Sequence, residues 1–593
     1  MPVDSLDQQS QGRVREISRE EASKARAGDL CRDKAGTVDT RSEIHLEPGQ
    51  LPRAATEAEA ALLAERPSLV FQRGGRLVQV VTVAVRTVRR GIRRPPGALV
   101  IREVEHWQLV DLFSQAARWF KVDGRRKEWT LTDCPERVAK VYASRFGSWR
   151  VPELLGVVEA PTLRPDGSVL ATPGYDAATG LLYVPGDAVF APVPPRPTKD
   201  QAVQALLRVR RLFEKFPFVE PSDAAAILAA CLTAVVRRSL PSAPMFALSA
   251  PKMAAGKSLL ADCVALIATG RTAAMMSQGK NEEEDCKRLL SLLKEGTAVS
   301  CIDNIERPLS GAAMCTVLTE EFWTERLLGI NAMLTVPTHT TWLATGNNLL
   351  LVGEVTTRVI PCDIDPGCER PEERKFELDL RKFIPDHRET LVPDLLTVAR
   401  AYLESGSPDL GLARFGRYED WERFVRGPLV WCGEVDPCAG RKRLEQVDPV
   451  RRQLRLFLVS LHALVGSQPV TASQIIDKGA LSSEPAAKGL QSVLEEVAEG
   501  RNGQPDGRRL GRWLSRYAKR VETGFRIMHA GERQGVILWQ VLPASAAVGL
   551  EGFVGLFQPN AENCQSDSSN REGESNPRNP PNPPQQLDLR ATE

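Results

Sequence analysis

Apolar positions along the chain fall into three regimes. Between residues 44 and 190, β-branched runs such as LVQVVTVAVRTV (77–88) alternate with helically spaced segments such as HWQLVDLFSQAARWFKV (106–122), which predicts an α+β accessory domain. Within it, PDGSVLATPGYDAATGLLYV (165–184) predicts two hairpin turns, because Asp-Gly and Thr-Gly sit between strand-like runs. After a stiff Pro-rich linker (191–200), residues 200–435 read as a helical lead-in followed by short continuous apolar runs. Runs without alternation, such as PMFALSA (244–250), predict strands buried on both faces, as in a parallel sheet. The longest apolar stretch, Ala224 to Val236, follows Ser222 as its N-cap and stops at Arg237-Arg238. At 13 residues it is too short to span a bilayer and predicts a buried helix.

A second break near 436–449 opens the third regime, 445–545. There PVTASQIID, with Thr471 as a helix cap, and the amphipathic AAKGLQSVLEEVAEG precede a basic helix from 507 and two strand-like runs, GFRIMHA and GVILWQV, joined by Gly-Glu-Arg-Gln. Three helices and a two-stranded wing predict a winged-helix domain, a module that binds DNA or docks protein. The polar ends, 1–43 and 559–593, lack the apolar residues to offset ordering entropy and are expected to be disordered.

Composition narrows this little. At 593 residues, two to four domains are expected. With 77 basic against 75 acidic residues, a nucleic-acid surface must come from local clustering. The 12 cysteines lie mostly in apolar runs and suit a reducing cytoplasm, and no signal-peptide core is present, so a cytoplasmic protein without a membrane partner is expected. Cys362-x5-Cys368 and Cys432-x5-Cys438 are a zinc alternative at wider spacing than zinc pairs use.

The chemistry begins at SAPKMAAGKSLLADC (249–263), where an apolar run ends in Gly-Lys-Ser and a helical pattern starts. In a phosphate-binding loop, backbone N–H groups wrap the phosphates, the Lys neutralises them and the hydroxyl holds Mg²⁺. Gly256, Lys257, Ser258 and the following Leu259 fit a nucleotide site; Pro251 stands where the first Gly of the pattern belongs. GTAVSCIDNIE then ends an apolar run in Asp303, a candidate Mg²⁺-holding carboxylate alongside Ser258. TTWLATGNN ends in Asn347, placed to touch a γ-phosphate or orient water, and Arg358 precedes a fourth run, where an arginine finger would lie. Asn304 follows Asp303 where a carboxylate base would be usual, and an amide accepts no proton.

The motifs IDNIERPLSG, TERLLGIN, ATGNNL and TTRVIPCDIDPGCERPEER resemble the ATPase module of phage and integrative-element primase-helicases, related to poxvirus-type primase-helicases and superfamily 3 helicases of the AAA+ group. The resemblance spans about 45–545 and is strongest over 245–380. It implies a P-loop AAA+ core flanked by the accessory and winged-helix domains, with ATP and Mg²⁺ used by Lys257, Ser258, Asp303, Asn347 and Arg358. It also implies a homo-oligomeric ring, a hexamer, acting on single-stranded or duplex DNA, with any primase on a separate chain.

For DNA, the resemblance implies a hairpin between the Asp303 and Asn347 runs, with Arg326 and His339 as phosphate contacts; Arg326 is also the rival finger. The runs RRGIRRPP (89–96) and RWFKVDGRRKEW (118–129) offer cations, the second interleaved with Trp119, Phe120 and Trp129. On the basic C-terminal helix, Arg508, Arg509, Arg512 and Arg516 recur at three- to four-residue spacing and would meet phosphates.

Overall fold

The computed structural model describes residues 39–544 apart from 86, 90, 327–332, 375–376, 481–483 and 501–502. The tail 559–593 and most of 1–43 therefore lie outside the described residues, although a strand already begins at Ser42, inside the segment expected to be disordered. The chain divides into two compact units, breaking after Phe457.

The first unit is mixed α/β, built on a seven-stranded sheet. Its strands are β1 (Thr87–Arg89), β2 (Ile92–Arg94), β3 (Met245–Ala250), β4 (Ala274–Ser277), β5 (Val299–Ile305), β6 (Thr341–Asn347) and β7 (Val359–Asp363). They lie in the order β7-β3-β6-β5-β4-β2-β1. From β7 to β4 every pairing is parallel. Helices α1 (Pro221–Val236), α2 (Lys257–Thr269) and α4 (Leu380–Glu404) contribute to a core on one face, and α3 (Glu282–Lys294) covers the other. Alternation along β3 shows both faces at work: Phe246 and Leu248 join the first core, Met245 and Ala247 the second. That double burial is why the strand reads as an unbroken apolar run.

Three expectations need correction. The segment 44–190 is not separate from the sheet, since the hairpin β1–β2 pairs antiparallel with β4, Ile92 with Met276 and Arg93 with Met275. Without it β4 would be an open edge, so an earlier piece of chain closes it. The helical pattern over 106–122 stops at Ala116; Ala117–Val122 is a strand, because Ala117 and Trp119 point inward while Arg118, Phe120 and Val122 alternate outward. Helix α1 starts at Pro221, not after Ser222: Glu220 is its N-cap, with its N–H donating to Asp223 Oδ2 at 2.8 Å.

Arg237, just past α1, is not a solvated stop. It is 1 % exposed and donates to the carbonyls of Leu240, Thr338 and Thr340, tying the helix end to the start of β6. Burial, reinforced by the neighbouring charge of Arg238, pushes its pKa down to about 9.

In the second unit, α5 (Ala472–Ala480), α6 (Pro485–Val497) and α7 (Gly507–Tyr517) precede β8 (Phe525–Arg533) and β9 (Val536–Pro543). Thr471 caps α5 through a reciprocal pair, Gln474 N to Thr471 Oγ1 and Thr471 N to Gln474 Oε1. The turn of the β8–β9 hairpin is Gln534-Gly535, both at positive φ (52° and 74°), the conformation a two-residue hairpin favours. Gly531, expected in that turn, instead lies in the irregular stretch of β8 between His529 and Glu532.

Candidate functional site

Strand β3 ends at Ala250, loop 251–256 follows, and α2 opens at Lys257, so the helix's unpaired N–H groups face the C-terminal edge of the sheet. Gly256 takes φ 109°, and a Cβ there would meet the Phe216 ring at 3.1 Å, so the position requires glycine on both counts. The loop's other left-handed residue is Ala254, at φ 57°. An alanine held there costs about 1–2 kcal/mol, the consequence of a loop poor in glycine.

Parallel pairing sets Asn347, the last residue of β6, opposite Ala250. Lys257 Nζ accordingly donates to Asn347 Oδ1 at 2.8 Å and to the Lys252 carbonyl at 2.8 Å. Both partners are neutral, and desolvation lowers the Lys257 pKa, opposed by the charge of Asp303.

Asp303 is reached through a residue the sequence reading missed. Thr345 Oγ1, on β6, donates to Asp303 Oδ1 at 2.8 Å and accepts from Asn304 N at 3.0 Å. The ladder between β5 and β6 is irregular here, and Asn304 sits at φ 53° with its Nδ2 donating to Glu306 Oε1 at 3.0 Å. The signal was present: Thr345 is a polar interruption of an apolar strand, two residues from Asn347 and so on the same face. Ser258 is exposed in the first turn of α2 and Leu259 is half-buried.

Arg358 does not join this group. It ends a short 3₁₀ turn (Gly353–Arg358) before β7, where its Nη1 donates to the Glu354 carbonyl at 2.8 Å and its guanidinium lies 3.3 Å from the Glu354 carboxylate. The edge of the sheet thus assembles a half-desolvated ammonium, an exposed hydroxyl, an amide and a carboxylate around a helix N-terminus. The donor set fits a phosphate chain with a hard divalent cation: Lys257 has only neutral acceptors to give up, and Ser258 and Asp303 supply the oxygens such a cation takes.

The candidate nucleic-acid residues fare unevenly. Arg326 is exposed at the end of strand Phe322–Arg326, which pairs antiparallel with Met333–Pro337; residues 327–332 between them lie outside the described residues. His339 is 3 % exposed beside Arg237, Arg238 and Arg73, so the phosphate contact expected of it is ruled out by burial. Arg94, in the first basic run, is also buried and paired with Glu295. On α7, Arg508, Arg509, Arg512 and Arg516 are exposed while Leu510, Leu514 and Tyr517 are buried. Arg509 is partly committed, donating to the Glu499 carbonyl. Cys362 is buried in β7 and Cys368 exposed, and among the described residues no three His, Cys, Asp or Glu side chains are grouped to hold a metal. Nor is any helix among them long and apolar enough to cross a membrane.

No family model and no curated protein matches the chain. It is similar to solved structures titled as the NrS-1 C-terminal region (10 % identity over 74 % of this chain and 99 % of that one, TM-score 0.33), SCCmec type IV Cch active helicase (10 %, 80 % and 97 %, 0.31) and JCV helicase (13 %, 42 % and 73 %, 0.20).

Proposed function

We propose that the chain is an ATP-hydrolysing, helicase-like motor of the P-loop AAA+ kind. It assembles as a homo-oligomeric ring, a hexamer, and acts on DNA in the replication of a phage or mobile element. The observation that carries the reading is the contact of Lys257 Nζ with Asn347 Oδ1, 2.8 Å apart at the strand ends beside Asp303. Two residues 90 positions apart meet where a strand–loop–helix turn presents backbone N–H groups.

On this reading Lys257 exchanges its neutral acceptors for the β- and γ-phosphates, gaining most as charge spreads onto the transferring phosphoryl group. Ser258 and Asp303 would hold Mg²⁺, which when bound neutralises phosphate charge. Asn347, released by Lys257, is left to orient the attacking water. The motor reading further takes α5–α7 and the β8–β9 hairpin as a winged helix whose arginines meet duplex phosphates.

Steady-state ATP hydrolysis with and without single-stranded DNA tests the proposal. Lys257→Ala should abolish most turnover while leaving the far-UV circular dichroism and unfolding midpoint near parental. Turnover that survives in a folded variant removes loop 251–256 from catalysis. A second reading, a nucleotide-binding DNA adaptor or AAA+ loader without unwinding, is favoured by Asn304, an amide beside Asp303 where a carboxylate base is usual. Tight ATP binding without turnover would select it.

A further inference from the structure

The first unit carries a second surface that the nucleotide site does not use. Strands 42–46, 117–122 and 129–132 form a three-stranded sheet with 117–122 in the centre. Its inner face is closed, since Ile44, Ala117 and Trp119 are buried in one core with Ala55 and Leu62 of helix Leu51–Glu65 and with Leu109 and Phe113 of helix His106–Ala116. On the outer face, pairing sets His45 opposite Phe120, Phe120 opposite Leu131 and Val122 opposite Trp129. This face is open: Leu131 is 66 % exposed, Val122 44 % and Trp129 42 %.

The rings there are already arranged. His45 stacks on Phe120 at 5.1 Å between centroids, Trp129 meets His45 edge-on at 4.5 Å, and the Arg118 guanidinium lies 5.1 Å from the Phe120 centroid. Apolar surface left in water in this way marks a binding face. Its rim supplies charge. The turn joining the central strand to strand 129–132 carries Arg125, Arg126 and Lys127, and none of the three makes an ion pair among the described residues. The carboxylate at the start of the turn is engaged with backbone: Asp123 Oδ1 accepts from Arg125 N at 2.8 Å and Arg126 N at 2.9 Å, which holds the turn in place. Arg118, by contrast, is matched by Glu43 at 2.8 Å. Stacking rings bordered by unmatched cations complement a strand whose bases are unpaired; a duplex hides its base faces and complements only the rim.

We propose that this open sheet face binds single-stranded DNA, stacking bases on Phe120 and Trp129 while Arg125, Arg126 and Lys127 meet the phosphates. Only the choice of DNA over RNA rests on the function proposed above. The test uses the full-length protein and two readouts, anisotropy of a labelled oligo-dT and photo-cross-linking of an iodouracil-substituted oligo-dT with peptide mapping. Trp129→Ala should weaken oligo-dT binding by about 5- to 150-fold, the range measured for losing one stacked base, while Trp129→Phe retains most of it. Arg125→Ala, Arg126→Ala and Lys127→Ala together should lower the slope of log affinity against log salt by about 2, at roughly 0.7 per lost phosphate contact. Cross-links should map to Phe120 or Trp129. Parental oligo-dT affinity in Trp129→Ala overturns the proposal, as do cross-links confined to other segments. So does a changed oligomeric mass with unchanged DNA affinity, which would make the face a subunit contact. ATP hydrolysis without DNA should be parental in all these variants; its absence from the parent protein would defeat the nucleotide-site reading and leave this one standing.

Discussion

Thr345 joins the two halves of the candidate site: one hydroxyl orients Asp303 and satisfies the backbone of Asn304, whose φ of 53° is unfavourable for a side chain. Thr345→Val keeps the shape and removes both bonds. It should lower stability by about 1 kcal/mol, seen as a reduced urea midpoint at unchanged slope, and cut ATP turnover by at least about tenfold as Asp303 loses its orientation. Turnover at the parental rate would show that Asp303 needs no positioning. His339 gives a different single-residue expectation. Burial, reinforced by Arg237, Arg238 and Arg73, holds its pKa well below 6.5, and the Glu321 carboxylate, 3.8 Å away and half exposed, does not offset this. The unfolded chain therefore binds a proton near pH 6.5 that the folded chain refuses, so this residue's stability contribution is present above that pH and is lost as pH falls. Between pH 7 and 5, His339→Leu should lose less stability than the parent, a comparison thermal melts can make.

Among elements, α7 divides most sharply, with Leu510, Leu514 and Tyr517 buried and arginines outward at 508, 512 and 516. Residues four apart share one face, so these three form a single stripe. Arg512→Glu with Arg516→Glu should leave the unit folded, because neither side chain is in the core. It should weaken duplex DNA binding and reduce the salt slope by about 1.8, at roughly 0.9 per contact. An unchanged slope would assign the helix to docking protein instead. Elements also show where one-dimensional reading stops. Helix spacing carried HWQLVDLFSQAARWFKV through to 122, yet Ala117–Val122 obeys period two because Ser42–Leu46, paired with it 75 positions earlier, offers it a parallel partner. Such a pairing leaves no mark within the segment itself.

For the whole molecule the open question is assembly, and Arg358 poses it. Within one chain it is tied to Glu354, and in the proposed ring it would serve as the arginine finger at another subunit's nucleotide. Arg358→Ala should bind ATP nearly normally and hydrolyse it poorly. Mixed with Lys257→Ala protein it should recover part of the activity, because some interfaces would pair an intact loop with an intact arginine. Parental hydrolysis by Arg358→Ala, or full activity in a monomer by sedimentation, would defeat the ring motor. Arg326, exposed on its own hairpin, is the rival finger and is distinguished by the same mixing.

The sequence by itself determined the local pieces of this protein. Buried strands announce themselves as unbroken apolar runs, the loop by Gly256-Lys257-Ser258 at a helix start, and the Thr471 cap by its spacing to Gln474, because each depends on residues within a few positions of one another. Tertiary structure alone decided what those pieces share. It brought Asn347 to Lys257 and Thr345 to Asp303, closed the sheet edge with residues 87–94, and buried His339 and Arg94, which had looked like surface cations. Exposure and pairing are properties of strands lying side by side, and the order β7-β3-β6-β5-β4 that creates them is not written in any single segment.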